Sequence, residues 1–144
     1  DGFPRTKNQL DWLQSEFSDL ISVHLDLKNE VILEGLLSRK TCIDCGGSYN
    51  FRSYQKDGYE IDAEISESEC ECPNCRGELH IREDDNITTI NNRMRVYEKN
   101  TSEVITECKK NGNFIEFEPK KGKRDFVSFQ NIVCQKFGTR KYYI

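Results

Sequence analysis

Apolar positions near the start of the chain recur at helical spacing. Leu10, Leu13, Phe17, Leu20 and Ile21 fall on one face of residues 6–21, with Thr6 as candidate N-cap. "SVHLDL" (22–27) predicts a short buried strand. "NEVILEGLLSRK" (29–40) predicts a second helix, capped by Asn29 and interrupted by Gly35. From Asp85 the pattern is helical again to about Lys110, with a break expected near Asn100-Thr101 and a stop at Asn111-Gly112. "NFIEFE" (113–118) predicts a strand. "DFVSFQNIVCQKF" (125–137) predicts a final helix with Phe126, Phe129, Ile132, Val133 and Phe137 inward. Helices and strands thus alternate, which implies α/β architecture with a mainly parallel sheet. Residues 41–83 interrupt the alternation. They hold the aromatic-rich "SYNFRSYQ" and an acidic stretch with Asp57, Glu60, Asp62, Glu64, Glu67, Glu69 and Glu71, and they predict β-hairpins with a solvated loop.

Cysteine spacing gives that interruption a chemistry. Cys42 and Cys45 form one C-x-x-C in "TCIDCGG", and Cys72 and Cys75 a second in "CECPNCRGEL". Paired knuckles of this kind build a tetrahedral four-thiolate zinc site, structural because no coordination position stays open. Gly46, Gly47 and Gly77 permit the turns that bring the thiolates together. A disulfide-bonded secreted module is the plainer alternative. The total of seven cysteines argues instead for a reducing, intracellular compartment, the cytoplasm or an organelle interior. Cys70 competes as a ligand but lacks the spacing. Cys108 and Cys134 sit in helical patterns and read as core or surface residues.

Composition narrows the field further. The net charge of −4 does not favour nucleic acid or an anionic membrane as partner, and no apolar run approaches the length of a membrane span. Five arginines stand out against this acidic balance: Arg5, Arg39, Arg82, Arg93 and Arg95. Arg39 ends the second predicted helix just before the first knuckle. Arg82 follows the second knuckle, and Arg93 lies about three helical turns further on. Singly, each reads as a surface ion-pair partner. Jointly they suit bidentate phosphate recognition.

These patterns together resemble the adenylate kinases with a zinc-bearing LID. "DGFPRTKNQ" matches that family's "DGFPRTxxQ". "CIDCGGSYN" followed by "CPNCRGELHIREDDNITTINNRMRVY" matches its LID and hinge pattern. The resemblance implies a phosphate-loop-type parallel-sheet CORE, incomplete here, over 1–39 and 84–144, with an inserted zinc-ribbon-like β LID over 40–83. It implies reversible phosphoryl transfer, ATP + AMP to 2 ADP, by a monomer using Mg with nucleotide and one structural zinc on Cys42, Cys45, Cys72 and Cys75. Arg39, Arg82 and Arg93 would be catalytic, gripping the transferring phosphates. Arg5 would contact the AMP phosphate, Gln9 the AMP adenine, and Asp1 the Mg water shell. Asp84 and Asp85 would engage the arginines as the LID closes.

Departures from the pattern are equally specific. The family's G-x-x-G-x-G-K phosphate loop and AMP-covering helices are missing from the sequence. The expectation is therefore a C-terminal portion of a kinase, inactive alone. The arginine that packs on the donor adenine falls at Gly35, the glutamate of "DDxxET" at Thr88, and the histidine after the LID tyrosine at Asn50. The LID insert is about ten residues longer than in common bacterial forms. Gly35 and Thr88 motivate an alternative, a non-catalytic kinase-like protein whose zinc lobe binds a partner. A zinc-ribbon nucleic-acid module explains neither "DGFPRTKNQ" nor the acidic balance. ATP or GTP as donor stays open.

Overall fold

The computed structural model describes residues 3–138. Asp1 lies outside them, so its expected role beside Mg has no structural description. The elements are α1 (Lys7–Glu16), β1 (Ser22–Leu25), α2 (Asn29–Leu37), β2 (Arg39–Cys42), β3 (Ser48–Asn50), β4 (Leu79–His80), α3 (Ile87–Lys110), β5 (Phe114–Phe117) and α4 (Phe126–Phe137). They fall into two compact units. One is built from the segments on either side of residues 27–95, and the other is Leu27–Arg95 itself. Helix α3 contributes to both. The expected class holds: a mixed α/β chain with a parallel sheet and a separate small antiparallel sheet.

In the first unit β1 and β5 pair in parallel, Ser22 opposite Phe114 through Leu25 opposite Phe117. Leu10 of α1, Val104 and Cys108 of α3, and Phe114 form its core. Phe129 of α4 packs on Phe117 with ring centroids 5.2 Å apart. The strand expected to be buried is only half so, because its side chains alternate. Leu25 remains 57% exposed and Val23 43%. A parallel strand normally hides both faces. Two members of the inward stripe expected on α4, Phe126 and Ile132, are exposed as well. The period finds the apolar positions, but a two-stranded sheet has too little area to cover them all.

Element ends depart from expectation for local reasons. Helix α1 stops at Glu16, where the Ser15 hydroxyl bonds back to the Trp12 carbonyl and Phe17 turns extended. Helix α2 stops at Leu37, so Arg39 opens a strand rather than ending a helix. Ser38 causes this, its hydroxyl donating to the Glu34 carbonyl at 2.6 Å while its backbone leaves helical geometry. Helix α3 runs through Asn100-Thr101 without the expected break. The propensity cost of those two residues is a few tenths of a kcal/mol each, roughly, and burial of Val104 and Cys108 on the same helix outweighs it. Asn86 caps α3, its side-chain oxygen accepting from the Thr89 N–H at 3.0 Å.

The second unit carries the sheet β3-β2-β4, antiparallel throughout. Beyond β3 the chain makes two further contacts of strand type, Tyr54 with Ile61 and Glu71 with Glu78. Tyr59 fills the middle of this excursion. It is buried, edge-on to Tyr54, and its hydroxyl accepts from the Lys28 N–H at 3.3 Å. Lys40 of β2 gathers the acidic stretch. Its ammonium donates to the carbonyls of Glu67 and Glu69 at 2.6 and 2.8 Å and lies 5.6 Å over the Phe51 ring. The charge is met by backbone oxygens, while acidic side chains of the stretch take other partners, Glu67 with Arg52, Glu64 with the Asn50 N–H and Asp62 with Gln55.

Local stability should differ accordingly. Native-state hydrogen exchange is expected to show slower exchange in residues 41–82 than in Ser22–Leu25 and Phe114–Phe117, whose ladder has exposed apolar side chains over it. Uniform protection across the two sheets would contradict this.

Candidate metal centre and arginine cluster

The two knuckles fold alike because their backbones close the same bonds. Cys42 N–H donates to the Gly47 carbonyl and Gly46 N–H to the Cys42 carbonyl, at 2.8 and 3.1 Å. Cys72 N–H donates to the Gly77 carbonyl and Arg76 N–H to the Cys72 carbonyl, both at 2.8 Å. The turn needs a left-handed residue before its last glycine. Gly46 supplies it at φ +71°, and Arg76 adopts it at φ +63°, at a cost of about 1–2 kcal/mol for a residue with a Cβ. Gly77 is close-packed for a different reason: a Cβ there would meet the Asp44 side chain of the opposite knuckle, which would have to shift.

The closed knuckles aim four sulfurs at one point. The Sγ atoms of Cys42, Cys45, Cys72 and Cys75 all lie within 4.8 Å of one another. Cys42 and Cys75 approach to 3.5 Å, Cys45 and Cys72 to 3.6 Å. A tetrahedron with metal–sulfur bonds of about 2.3 Å has edges near ~3.8 Å, so the four sulfurs fit one metal ion. Cys42 and Cys72 are buried with Leu79, Tyr49 and Ile65 packed around them, while Cys45 and Cys75 face solvent. The Tyr49 hydroxyl sits 3.4 Å from the Cys72 sulfur. That contact, with the backbone N–H groups of Cys75 and Asn74, pulls the Cys72 thiol down to about 6 against the cost of burial. The same sulfur pushes the Tyr49 phenol up to about 12. Cys70 is not in the cluster. Its thiol points to the Ser68 carbonyl. Cys108 is in the core of the first unit and Cys134 half-buried on α4, as their helical patterns implied.

Three of the expected arginines are gathered around two adjacent aspartates. Asp85 is buried, its side chain 0% exposed, and Arg39 grips it with Nε and Nη2 at 2.6 and 2.8 Å. The hydrogen bond to Asp85 holds the Arg39 guanidinium above its usual pKa. Asp84 receives Arg82 through both oxygens, at 2.9 and 2.8 Å. Arg93 reaches the same Oδ2 from α3 at 3.2 Å. These contacts, Arg82 foremost, hold the Asp84 carboxyl below its usual range. Arg82 and Arg93 thus converge on a single anionic oxygen. Arg95 lies apart, on Asn92.

Arg5 and Gln9 belong to the first unit. There the Gln9 side-chain oxygen accepts from the Arg5 backbone N–H at 2.7 Å, which fixes the carboxamide over the start of α1. Thr6 occupies the N-cap position but makes no side-chain cap bond. Space over Gly35 is open, so its lack of a side chain is not imposed by packing. Sequence reasoning did not assign roles to Tyr49 or Lys40. The shared spacing of Tyr49 and Leu79 from their knuckles was the available signal for the first. A lone lysine satisfied by carbonyls leaves none.

No protein-family model matches the chain. Among curated proteins it is 34% identical over 119 residues to the probable adenylate kinase 6, chloroplastic, of Arabidopsis thaliana, across 82% of this chain and 40% of that protein. It is 32% identical over 117 residues to the adenylate kinase of Syntrophobacter fumaroxidans, covering 78% and 50% respectively. The chain is a homologue of the adenylate kinases. A further relative, 30% identical over 92% of this chain and 58% of its own length, is the GTP:AMP phosphotransferase of Plasmodium falciparum. The adenylate kinase homologue spans about half the length of the curated relatives it matches. Among its described residues no helix is long and apolar enough to cross a membrane.

The purified chain is expected to hold one divalent metal ion by elemental analysis. Cys72→Ser should lower that content, and a strong chelator should melt the circular-dichroism signal of the β lobe, because metal binding contributes to its folding. Metal-free protein, or unchanged content in Cys72→Ser, would refute the assignment.

Proposed function

We propose that this chain is the LID-bearing half of an adenylate kinase and supplies the charge-compensating arginines for phosphoryl transfer from a nucleoside triphosphate to AMP. The observation that carries the reading is the meeting of Arg82 and Arg93 on Asp84 Oδ2. Two guanidinium groups arranged for one carboxylate oxygen are also arranged for one phosphate oxygen. Phosphoryl transfer asks the protein mainly for such positioning and charge neutralisation. On this reading residues 40–83 are the LID, zinc is its structural metal, and 1–39 with 84–144 belong to the CORE. Asp84 holds Arg82 and Arg93 in place until the nucleotide phosphates compete for them. Arg39 offers its remaining N–H donors from beside Asp85. Arg5 and Gln9 serve the monophosphate, Arg5 at its phosphate and Gln9 at the purine edge. Mg travels with the nucleotide, and the thiolate site requires a reducing compartment.

No G-x-x-G-x-G-K run occurs within this sequence, so on this reading the phosphate loop and its lysine are not among these residues. Gly35 sustains a second reading, a kinase-like protein without activity. The open space there would admit the donor-stacking arginine that the family pattern has, yet the residue is glycine.

Kinetics on a whole protein containing these residues separates the two, with the 144-residue chain as the zero-activity reference. Arg82→Ala and Arg93→Ala should each lower kcat about 100-fold, or roughly 3 kcal/mol, with little change in melting temperature. Near-normal turnover returns that arginine to the surface ion-pair reading. No turnover in the whole wild-type protein favours the non-catalytic one.

Gln9→Leu tests the acceptor side independently. It should raise KM for AMP several-fold more than KM for the triphosphate, since a carboxamide both donates to and accepts from a purine edge. Equal effects on the two nucleotides would remove Gln9 from the binding site.

A further inference from the structure

The two knuckles match position for position, Cys42, Cys45, Gly47 and Tyr49 against Cys72, Cys75, Gly77 and Leu79. The last pair differs in chemistry. Leu79 is a plain core residue of the lobe, whereas Tyr49 carries a hydroxyl that crosses to the other knuckle and stops 3.4 Å from the Cys72 sulfur. Gly47 makes room for it. A Cβ at that position would stand 2.8 Å from the Tyr49 hydroxyl oxygen and 3.1–3.2 Å from the adjoining ring carbons. Space has therefore been kept clear for this ring in this orientation.

The direction of the hydrogen bond is dictated by metal binding. A cysteine coordinates as thiolate, which only accepts. The phenol must then donate its O–H to sulfur. We infer that Tyr49 is a positioning residue of the metal centre, its hydroxyl donating to the metal-bound Cys72 thiolate and slowing loss of the ion. The inference rests on the reading of the four cysteines as a metal site. It makes the lobe's grip on its ion depend on a residue of β3 that is not a ligand. Groups that orient ligands in this way typically change metal affinity about 10–100-fold when removed.

The test uses the full 144-residue chain loaded with cobalt(II) or zinc, comparing wild type with Tyr49→Phe and Gly47→Ala. Tyr49→Phe keeps the ring and deletes only the hydroxyl, and far-ultraviolet circular dichroism of the loaded proteins checks that the lobe is folded. Transfer of zinc to a chromogenic chelator should be roughly 10-fold faster in Tyr49→Phe. The cobalt–thiolate charge-transfer band should move to longer wavelength, because a sulfur without the hydrogen bond is the better electron donor. Gly47→Ala, which displaces the ring, should show both changes. Wild-type release and spectrum in Tyr49→Phe overturn the proposal, and do so even if Gly47→Ala is impaired, since ring packing alone would then be what matters. A wild-type chain that takes up no cobalt overturns the metal-centre reading and this proposal with it, a result separate from any difference between variants.

Discussion

One ion pair closes the neck of the inserted lobe. The chain departs along β2 at Arg39, makes both knuckles and the acidic excursion, and is fastened again at Asp85, just before α3. Arg39 and Asp85 meet through two parallel hydrogen bonds. Asp85 has no exposed side-chain surface, so its charge is tolerable only while the guanidinium faces it. Removing one partner of such a pair costs about 3–5 kcal/mol, because the other is left buried and uncompensated. The neck also sets the spacing of the charged groups beside it. Asp84, Arg82 and the cap residue Asn86 lie within three positions of Asp85, and α3 carries Arg93 back to the same aspartate that Arg82 holds.

The cysteine cluster and the neck act on the same lobe by different physics. The cluster is local, four sulfurs from two short turns, set among Leu79, Tyr49 and Ile65. Lys40, Tyr59 and Phe51 organise the excursion between the knuckles. The charged groups at the neck belong to the same compact unit. Arg82 and Arg93 keep their mutual geometry there because both are held on the same aspartate.

The four-cysteine cluster was legible in the sequence because paired C-x-x-C knuckles leave a spacing that nothing else in the chain imitates. The α/β alternation was legible because β1, β5 and α3 each keep a clean period. The neck was legible only in part. The family resemblance has Asp84 and Asp85 engaging the arginines, but Arg39 and Asp85 are distant in sequence, and no spacing says that Arg39 is the one that meets Asp85 or that the carboxylate is buried. The end of α2 turns on one serine hydroxyl competing for a backbone carbonyl, a choice that propensity does not register. The inward faces of β1 and α4 were overstated for a related reason. Hydrophobic pattern specifies which residues seek burial, and only neighbouring elements determine whether they obtain it.

The parallel register of β1 and β5 also fixes an order of events at the ribosome. Ser22 must wait for Phe114, and everything between the two strands is synthesised first. The lobe of residues 27–95 is complete in the nascent chain before β5 emerges to pair with β1. In a nascent chain of this design the middle is complete before the β1–β5 ladder that brackets it can form.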